Sequence, residues 1–247
     1  MKHILIVGAT SAMADQCARL WATRGGARLV LVGRDERRLE TIAQDLRVRG
    51  QGVEASTRVV DFEDAAAIGA LVREAAAERP VDIALVAHGH LPDQPACEAE
   101  LTLAARELSI NGVSPVLFAE AIAGEMQRAG RGALAVIGSV AGDRGRKSNY
   151  VYGSAKGLVE RYVEGLQHRL AATPVRVTLV KPGPTDTPMT AHLKRDGAKL
   201  ADVAAVARDI VSATEAGKPV LYTPGKWVLI MAVIRNLPRA VFHRMNI

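Results

Sequence analysis

Apolar runs and helical periodicities alternate along most of the chain. Residues 3–8, HILIVG, form an uninterrupted apolar stretch, the pattern of a strand buried on both faces. Met13, Cys17, Leu20 and Trp21 then recur at helical spacing, and Arg24-Gly25-Gly26 closes that helix. The unit repeats. A strand at 28–33 precedes a helix marked by Leu39, Ile42, Ala43 and Leu46, which stops near Gly50. A weaker strand at 53–60 precedes a helix marked by Ile68, Leu71, Val72 and Ala75, and a fourth strand spans 81–87. The second half continues with a helical stretch over 98–129 and a strand at 132–138. A helix over 152–171 then carries Ala155, Val159, Tyr162, Val163, Leu166 and Leu170 along one side. A strand at 175–180, a helix near 201–216 and a short strand at 219–223 complete the series.

Such alternation requires right-handed crossovers, so the pattern predicts an α/β fold. Its core is a doubly wound parallel sheet of about seven strands with helices on both faces. No linker and no solenoid repeat interrupts it, so residues 1–247 read as a single domain. Ligands of such sheets bind beyond the C-terminal strand ends, at the switch in strand order. The loops of interest are therefore 8–14, 33–35, 61–62, 87–93, 138–150 and 181–199.

Composition narrows the picture a little. Hydrophobic residues make up 49% of the 247, enough for the core of one such unit. The net charge of +6 suits an anionic cofactor or an anionic surface. No run of five basic residues occurs, so a nucleic-acid partner is not expected. Cys17 and Cys97 are isolated, which argues for a reducing compartment and against a disulfide framework or a metal site. The chain opens on a strand without a secretory leader pattern, so a cytoplasmic location is expected.

The chemistry is carried by loop 138–150 and the helix after it. Tyr152 and Lys156 are four residues apart and project from one helical face. A tyrosine titrates near 10, and a neighbouring ammonium favours the phenolate, which brings the pair toward acid–base work. Ser139 ends the preceding strand and can hydrogen-bond a substrate oxygen beside that phenol. Asn111 stands four residues before Pro115, which has no N–H to return to the Asn111 carbonyl. A carbonyl freed in this way can hold a water and relay protons toward Lys156; the plainer alternative is a proline kink with Asn111 as a cap.

With these residues in place, the chain resembles the short-chain dehydrogenase/reductase family, in its compact single-domain branch, over nearly all its length. The resemblance implies a Rossmann-type fold and a catalytic set of Asn111, Ser139, Tyr152 and Lys156. It implies Tyr152 as the proton donor in reduction, Lys156 as its partner and a holder of the nicotinamide ribose, and Ser139 as the anchor of the substrate oxygen. The segment KPGPTDTPMT, 181–190, is similar to the family's Pro-Gly loop. That places Pro182, Gly183, Thr185 and Thr187 at the cofactor, with Thr187 on the carboxamide.

The phosphate loop departs from the pattern. In VGATSAMADQ, 7–16, Gly8 can serve the tight turn, but Ala12 and Ala14 stand where further glycines are usual. A methyl at Ala12 is expected to push the pyrophosphate outward or to shift the helix start. Thr10, Ser11 and Met13 remain beside the phosphates, and the helix N-terminus favours an anion. After the fourth strand VAHG, 86–89, keeps Gly89 and lacks the family's asparagines; Val86 and Ala87 are expected beneath the adenosine. His88 and His90 read as loop residues near the cofactor rather than catalytic groups. At the end of the second strand Gly33 and Arg34 replace the acid that meets a free 2′-hydroxyl. A guanidinium suits a 2′-phosphate, so NADP(H) is the expected cofactor, with NAD(H) as the alternative. Asp35 is expected to cap the next helix, and Asp61 and Phe62 match the family's adenine-contacting pair.

The tail, residues 225–247, mixes an apolar run with Arg235, Arg239, His243 and Arg244. Its run from Trp227 to Ile234 is too short to cross a bilayer. The tail is expected beside the substrate pocket or in a subunit interface; the sharper alternative is a helix resting on anionic lipid. With GATS, AHGHLPDQ and YTPGKW, this ending is similar to the branch of mycobacterial decaprenylphosphoryl-2-keto-pentose reductases. A small-molecule or lipid-linked carbonyl substrate follows from that resemblance, and a homodimer or homotetramer from the family. The competing class is a non-catalytic nucleotide-binding or membrane-surface protein on the same fold.

Overall fold

The computed structural model describes residues 1–195 and 197–245. Its frame is a seven-stranded sheet in the order β3-β2-β1-β4-β5-β6-β7, with every pairing parallel. The strands are β1 (Lys2–Val7), β2 (Ala27–Gly33), β3 (Glu54–Val59), β4 (Ile83–Val86), β5 (Ala133–Ile137), β6 (Arg176–Pro182) and β7 (Val220–Thr223). The order reverses between β1 and β4, which opens a crevice beyond their C-terminal ends.

Alternation along the strands divides the core into two layers. Leu5, Val7, Val30, Val32, Ala84, Val86, Leu134 and Val136 face one way. They pack under α3 (Ala65–Glu78), α6 (Ser114–Ala129) and α7 (Tyr150–Leu170). Ile4, Ile6, Leu29, Leu31, Ile83, Leu85, Ala135 and Ile137 face the other way. They meet α1 (Ala12–Ala22), α2 (Glu36–Arg49) and α9 (Val203–Ala216). Asp35, Asp64 and Asp202 cap α2, α3 and α9 through their carboxylates, each worth about 1 kcal/mol. The expected cap at Asp35 is therefore present.

The helix expected over 98–129 is four pieces. Asp93 caps α4 (Gln94–Ala99), after which come α5 (Leu101–Leu108), a π turn at Ser109–Val113, and α6. Pro115 supplies no N–H for the ordinary return bond, and the backbone widens instead: the Ser114 N–H reaches the Ser109 carbonyl. β4 is also shorter than the predicted 81–87, and Val86 at its end is buried in the core. A short 3₁₀ turn, Val140–Asp143, joins β5 to the loop before α7, and another, Pro188–Thr190, leads into α8 (Ala191–Arg195). The tail forms α10 (Trp227–Asn236) and α11 (Arg239–Phe242).

Candidate active site

A cleft opens at the ends of β1, β4, β5 and β6. Ser139, Tyr152 and Lys156 line it together, and Asn111 stands behind them at Gly89. Ser139 is the N-cap of the 3₁₀ turn, where its hydroxyl accepts from the Ala141 N–H at 3.1 Å. Tyr152 sits one turn into α7, whose start is secured from a distance: the Val151 N–H donates to Gln94 Oε1 at 3.0 Å. The Lys156 ammonium, one turn further on, donates to the Ile137 carbonyl at 3.1 Å and lies 5.7 Å from the centre of the Tyr152 ring.

The expected depression of the tyrosine pKa is not what this environment produces. Burial pushes the phenol up to about 12, outweighing the hydrogen bond from Ser139 that pulls it down. Burial likewise lowers Lys156 to about 8. The ammonium is directed at the Ile137 carbonyl, so it gives the phenol little help. Tyr152 is protonated at neutral pH, the state of a proton donor.

Asn111 is fully buried, and its side chain is more constrained than the sequence suggested. Its Oδ1 accepts from the His90 N–H at 2.8 Å. Its Nδ2 donates to Glu107 through both the carbonyl and Oε2, each at 3.1 Å. Glu107 is itself buried and takes the His90 ring at 2.8 Å. Gly89 separates this amide from Lys156: a Cβ there would lie 2.8 Å from Asn111 Oδ1 and 3.4 Å from Lys156 Nζ, and its φ is +138°. The expectation for Asn111 ran through its backbone carbonyl; the partners recorded here belong to its side chain. Glu107 and His90 were missed as a pair, although Glu107 is one helical turn before Asn111.

The phosphate loop tolerates its alanines. Gly8, at φ +76°, is its left-handed residue, and a Cβ there would fall 2.6 Å from the His88 nitrogen. Ala12 is the first residue of α1, with Ser11 as its N-cap, while Ala14 is buried in the core. Ser11 and Met13 line the cleft with Ala87, Gly89, Pro182, Gly183, Thr185 and Thr187. The Thr185 hydroxyl is used internally, donating to the Gly183 carbonyl at 2.9 Å, whereas Thr187 shares a loose contact with Thr190 at 3.3 Å.

Gly8, Thr10, Ala12, Arg34, Asp61 and Phe62 lie outside the cleft lining, along a strip reached through His88. The His88 ring packs edge-on against Phe62 at 4.5 Å and Phe118 at 5.5 Å, and its Nε2 meets the Ser114 hydroxyl at 2.9 Å. Burial drives its pKa down to about 3, so it is neutral, in keeping with a non-catalytic residue. Phe62 is buried, with its ring against His88 and Phe118. Asp61 is exposed and accepts from the Glu63 N–H. Arg34 is exposed, 5.7 Å from the Phe62 ring, with no ion pair among the described residues. Arg38, not singled out from the sequence, reaches the Thr10 carbonyl at 3.5 Å from the first turn of α2.

Three further cleft residues lie in segments the sequence pointed to but were not singled out there as site residues. Trp227, from the tail, packs so closely on Gly183 that a Cβ there would lie 1.9 Å from the indole nitrogen. This seats the tail beside the pocket, as the plainer expectation held. Arg146 and Asn149, on the loop before α7, each keep a buried polar atom without a partner: Arg146 Nε and Asn149 Oδ1. No group of three metal-ligating side chains exists among the described residues, and no described helix is long and apolar enough to cross a membrane.

Comparison with known proteins agrees with this geometry. Residues 2–198 match the short chain dehydrogenase family. An uncharacterised oxidoreductase of Mycobacterium tuberculosis is 36% identical, covering 98% of this chain and 96% of its own. Sulfoacetaldehyde reductase 2 of Chromohalobacter salexigens is 33% identical over 89% of this chain and 87% of its own. A short-chain dehydrogenase from Sphingobium yanoikuyae in complex with NADPH superposes with a TM-score of 0.83 at 23% identity, with 97% of each chain covered. Matching sequence over most of its length, the same sheet order and a Ser–Tyr–Lys cleft at the expected strand ends make this chain a member of the short-chain dehydrogenase family, an NAD(P)-dependent oxidoreductase.

Proposed function

We propose that the protein is an NADP(H)-dependent reductase of ketones or aldehydes, working in reverse as an alcohol dehydrogenase. The observation that carries this reading is the convergence of Ser139, Tyr152 and Lys156 on one cleft beside the Gly8 loop. The cofactor, when bound, supplies the hydride for the carbonyl carbon. Ser139 holds the carbonyl oxygen, and Tyr152 gives that oxygen its proton. A phenol with a pKa of about 12 remains a much stronger acid than the alcohol formed, so the transfer runs downhill. Lys156 holds the ribose side of the cofactor. Asn111, fixed by Glu107 and His90, faces Lys156 across Gly89 and supports the return of protons from solvent.

Gly8, Thr10, Ser11, Ala12 and Met13 would cradle the pyrophosphate, and Pro182, Gly183, Thr185 and Thr187 the nicotinamide. Ala87 and Gly89 would border the ribose, with Asp61 at the adenine. Arg34, exposed and unpaired, and Arg38, poised over Thr10, support recognition of a 2′-phosphate. The NADPH in the Sphingobium structure supports the same choice. The name of the Chromohalobacter relative, an aldehyde reductase, supports a carbonyl substrate. Exposed Leu101, Leu108, Val113, Leu158 and Tyr162 on α5, the π turn and α7 support a homo-oligomer. Val228, Leu229 and Val233 leave α10 an open apolar face for a subunit or a lipid surface. The free, buried Cys17 and Cys97 agree with a cytoplasmic setting.

Fluorescence titration with NADPH and NADH tests the reading, followed by a carbonyl screen. NADPH is expected to bind more tightly, with the preference reduced in Arg34→Ala. Tyr152→Phe is expected to keep NADPH binding and lose about 10²- to 10⁴-fold in turnover. Near-normal turnover of that variant overturns the mechanism, and binding of neither cofactor favours a non-catalytic protein.

A further inference from the structure

The loop between the 3₁₀ turn and α7 carries two arginines with different fates. Arg144 is consumed by the tail. Its guanidinium donates to the Ile234 and Leu237 carbonyls at 2.5 and 2.8 Å and stacks 3.8 Å over the Phe242 ring. The nearby carboxylate is consumed as well: Asp143 is ion-paired to Lys181 and hydrogen-bonded by the Tyr222 hydroxyl at 3.1 Å. Arg146 is left over. It is half-buried in the wall of the catalytic cleft, with a contact of 3.5 Å from Nη2 to the Val140 carbonyl. Its buried Nε has no partner, and no ion pair is made to it among the described residues.

An arginine does not escape this position by losing its proton, because its guanidinium stays charged in proteins. A half-buried cation whose nearby carboxylate, Asp143, is already paired to Lys181 is poorly compensated on its own. It becomes favourable when an anion arrives, since charge-assisted hydrogen bonds to a carboxylate, sulfonate or phosphate are short and strong. Arg146 lies between Ser139 and Tyr152 in sequence and in the same cleft. An anion bound to it therefore belongs to the molecule whose carbonyl those two residues hold. Leu91, Val140, Met189, Leu193 and Trp227 supply apolar lining, and the cleft's other cation, Lys156, already donates to the Ile137 carbonyl. Arg146 also borders a second depression that includes Lys147 and His243, so the neighbourhood beyond it is basic.

We infer that the substrate is a carbonyl compound carrying an anionic group, which Arg146 recognises. This rests on the reductase reading above and extends it to the substrate class. The anion can be a terminal carboxylate or sulfonate, or a phosphate ester. The apolar wall fits the carbon skeleton that separates it from the carbonyl.

The test uses the full-length protein with NADPH and a matched set of aldehydes. Methyl 4-formylbenzoate is the neutral member; 4-formylbenzoate, 4-formylbenzenesulfonate and 4-formylphenyl phosphate are the anionic ones. The readout is the ratio of kcat/KM for each anionic member to that of the neutral ester. Wild type is expected to favour at least one anionic member, and Arg146→Gln to lower that ratio roughly 10- to 100-fold, with Arg146→Lys between them. Which anion is preferred separates the sulfonate or carboxylate source from the phosphate source. Calorimetric titration of the NADP⁺-saturated protein with benzenesulfonate and phenyl phosphate gives a second reading that needs no turnover. Binding of either in wild type and its loss in Arg146→Gln supports the proposal. A ratio near one in wild type, an equal loss on both members in Arg146→Gln, or no anion binding to a protein that holds NADP⁺ overturns it. Failure to bind NADPH at all refutes the reductase reading instead, so the two failures are distinguishable.

Discussion

The two ends of the cleft are built on different terms. At the nucleotide end the backbone geometry is set by the fold itself, although His88 Nδ1 is also buried without a partner among the described residues. Gly8 turns tightly against His88, His88 is held by Ser114 and two aromatic rings, and Asp35 closes the helix it starts. At the substrate end, Arg146 and Asn149 keep polar atoms buried and unpartnered, and Trp227 arrives from the far end of the chain. The contrast teaches that one end is a frame whose geometry is independent of what binds. The other keeps buried polar atoms in the cleft wall, which is where the proposal above puts specificity.

The sharpest way to break the frame is Gly8→Ala. It forces an alanine to φ +76° and into contact with the His88 backbone. A loss of about 2–4 kcal/mol in stability is expected together with weakened NADPH binding. Denaturant unfolding and cofactor titration check this, and an unchanged midpoint would show that the loop is not rigid. The next effect is on acid stability. His88 is neutral when folded, with its pKa moved from 6.5 to about 3, so the unfolded chain takes up a proton that the folded one refuses. Stability from this group is complete above pH 6.5 and falls by about 1.4 kcal/mol per pH unit on acidification toward 3. Urea titrations across that range should show a shallower slope in His88→Gln.

Smaller effects separate the two ends functionally. Trp227→Ala removes substrate wall and is expected to raise KM for a carbonyl substrate about tenfold while the NADPH Kd stays within twofold. An equal loss in both would mean that the tail supports the whole cleft. Arg38→Ala is expected to weaken NADPH by a few-fold and leave NADH unaffected, because a single exposed cation facing a phosphate contributes about 1 kcal/mol or less. Salt dependence of the NADPH Kd is its check: the slope should fall in the variant.

Much of this was legible beforehand because the relevant signals are local. All seven strands were anticipated, most of them from apolar runs, since a strand buried on both faces must be apolar throughout; β3, at the sheet edge and partly polar, gave the weakest signal. The spacing of Tyr152 and Lys156 placed them on one face of α7 for the same kind of reason. The break of 98–129 into four pieces was less accessible. Pro115 advertised a disturbance, but whether the helix kinks or widens into a π turn depends on how Gly112 seats against Ala155, where a Cβ would come within 3.2 Å.

What the sequence determined by itself, then, is the α/β alternation, the strand count, the Ser–Tyr–Lys set and the Gly8 turn. Each follows from periodicity or from one residue's backbone freedom. Tertiary structure alone decided three other things: that burial raises the Tyr152 pKa instead of lowering it, that Glu107 and His90 fix Asn111, and that Arg144 is spent on the tail while Arg146 Nε has no partner among the described residues. Their physical reason is shared. Burial and charge pairing depend on which distant groups share a small volume, and spacing along a chain does not carry that information.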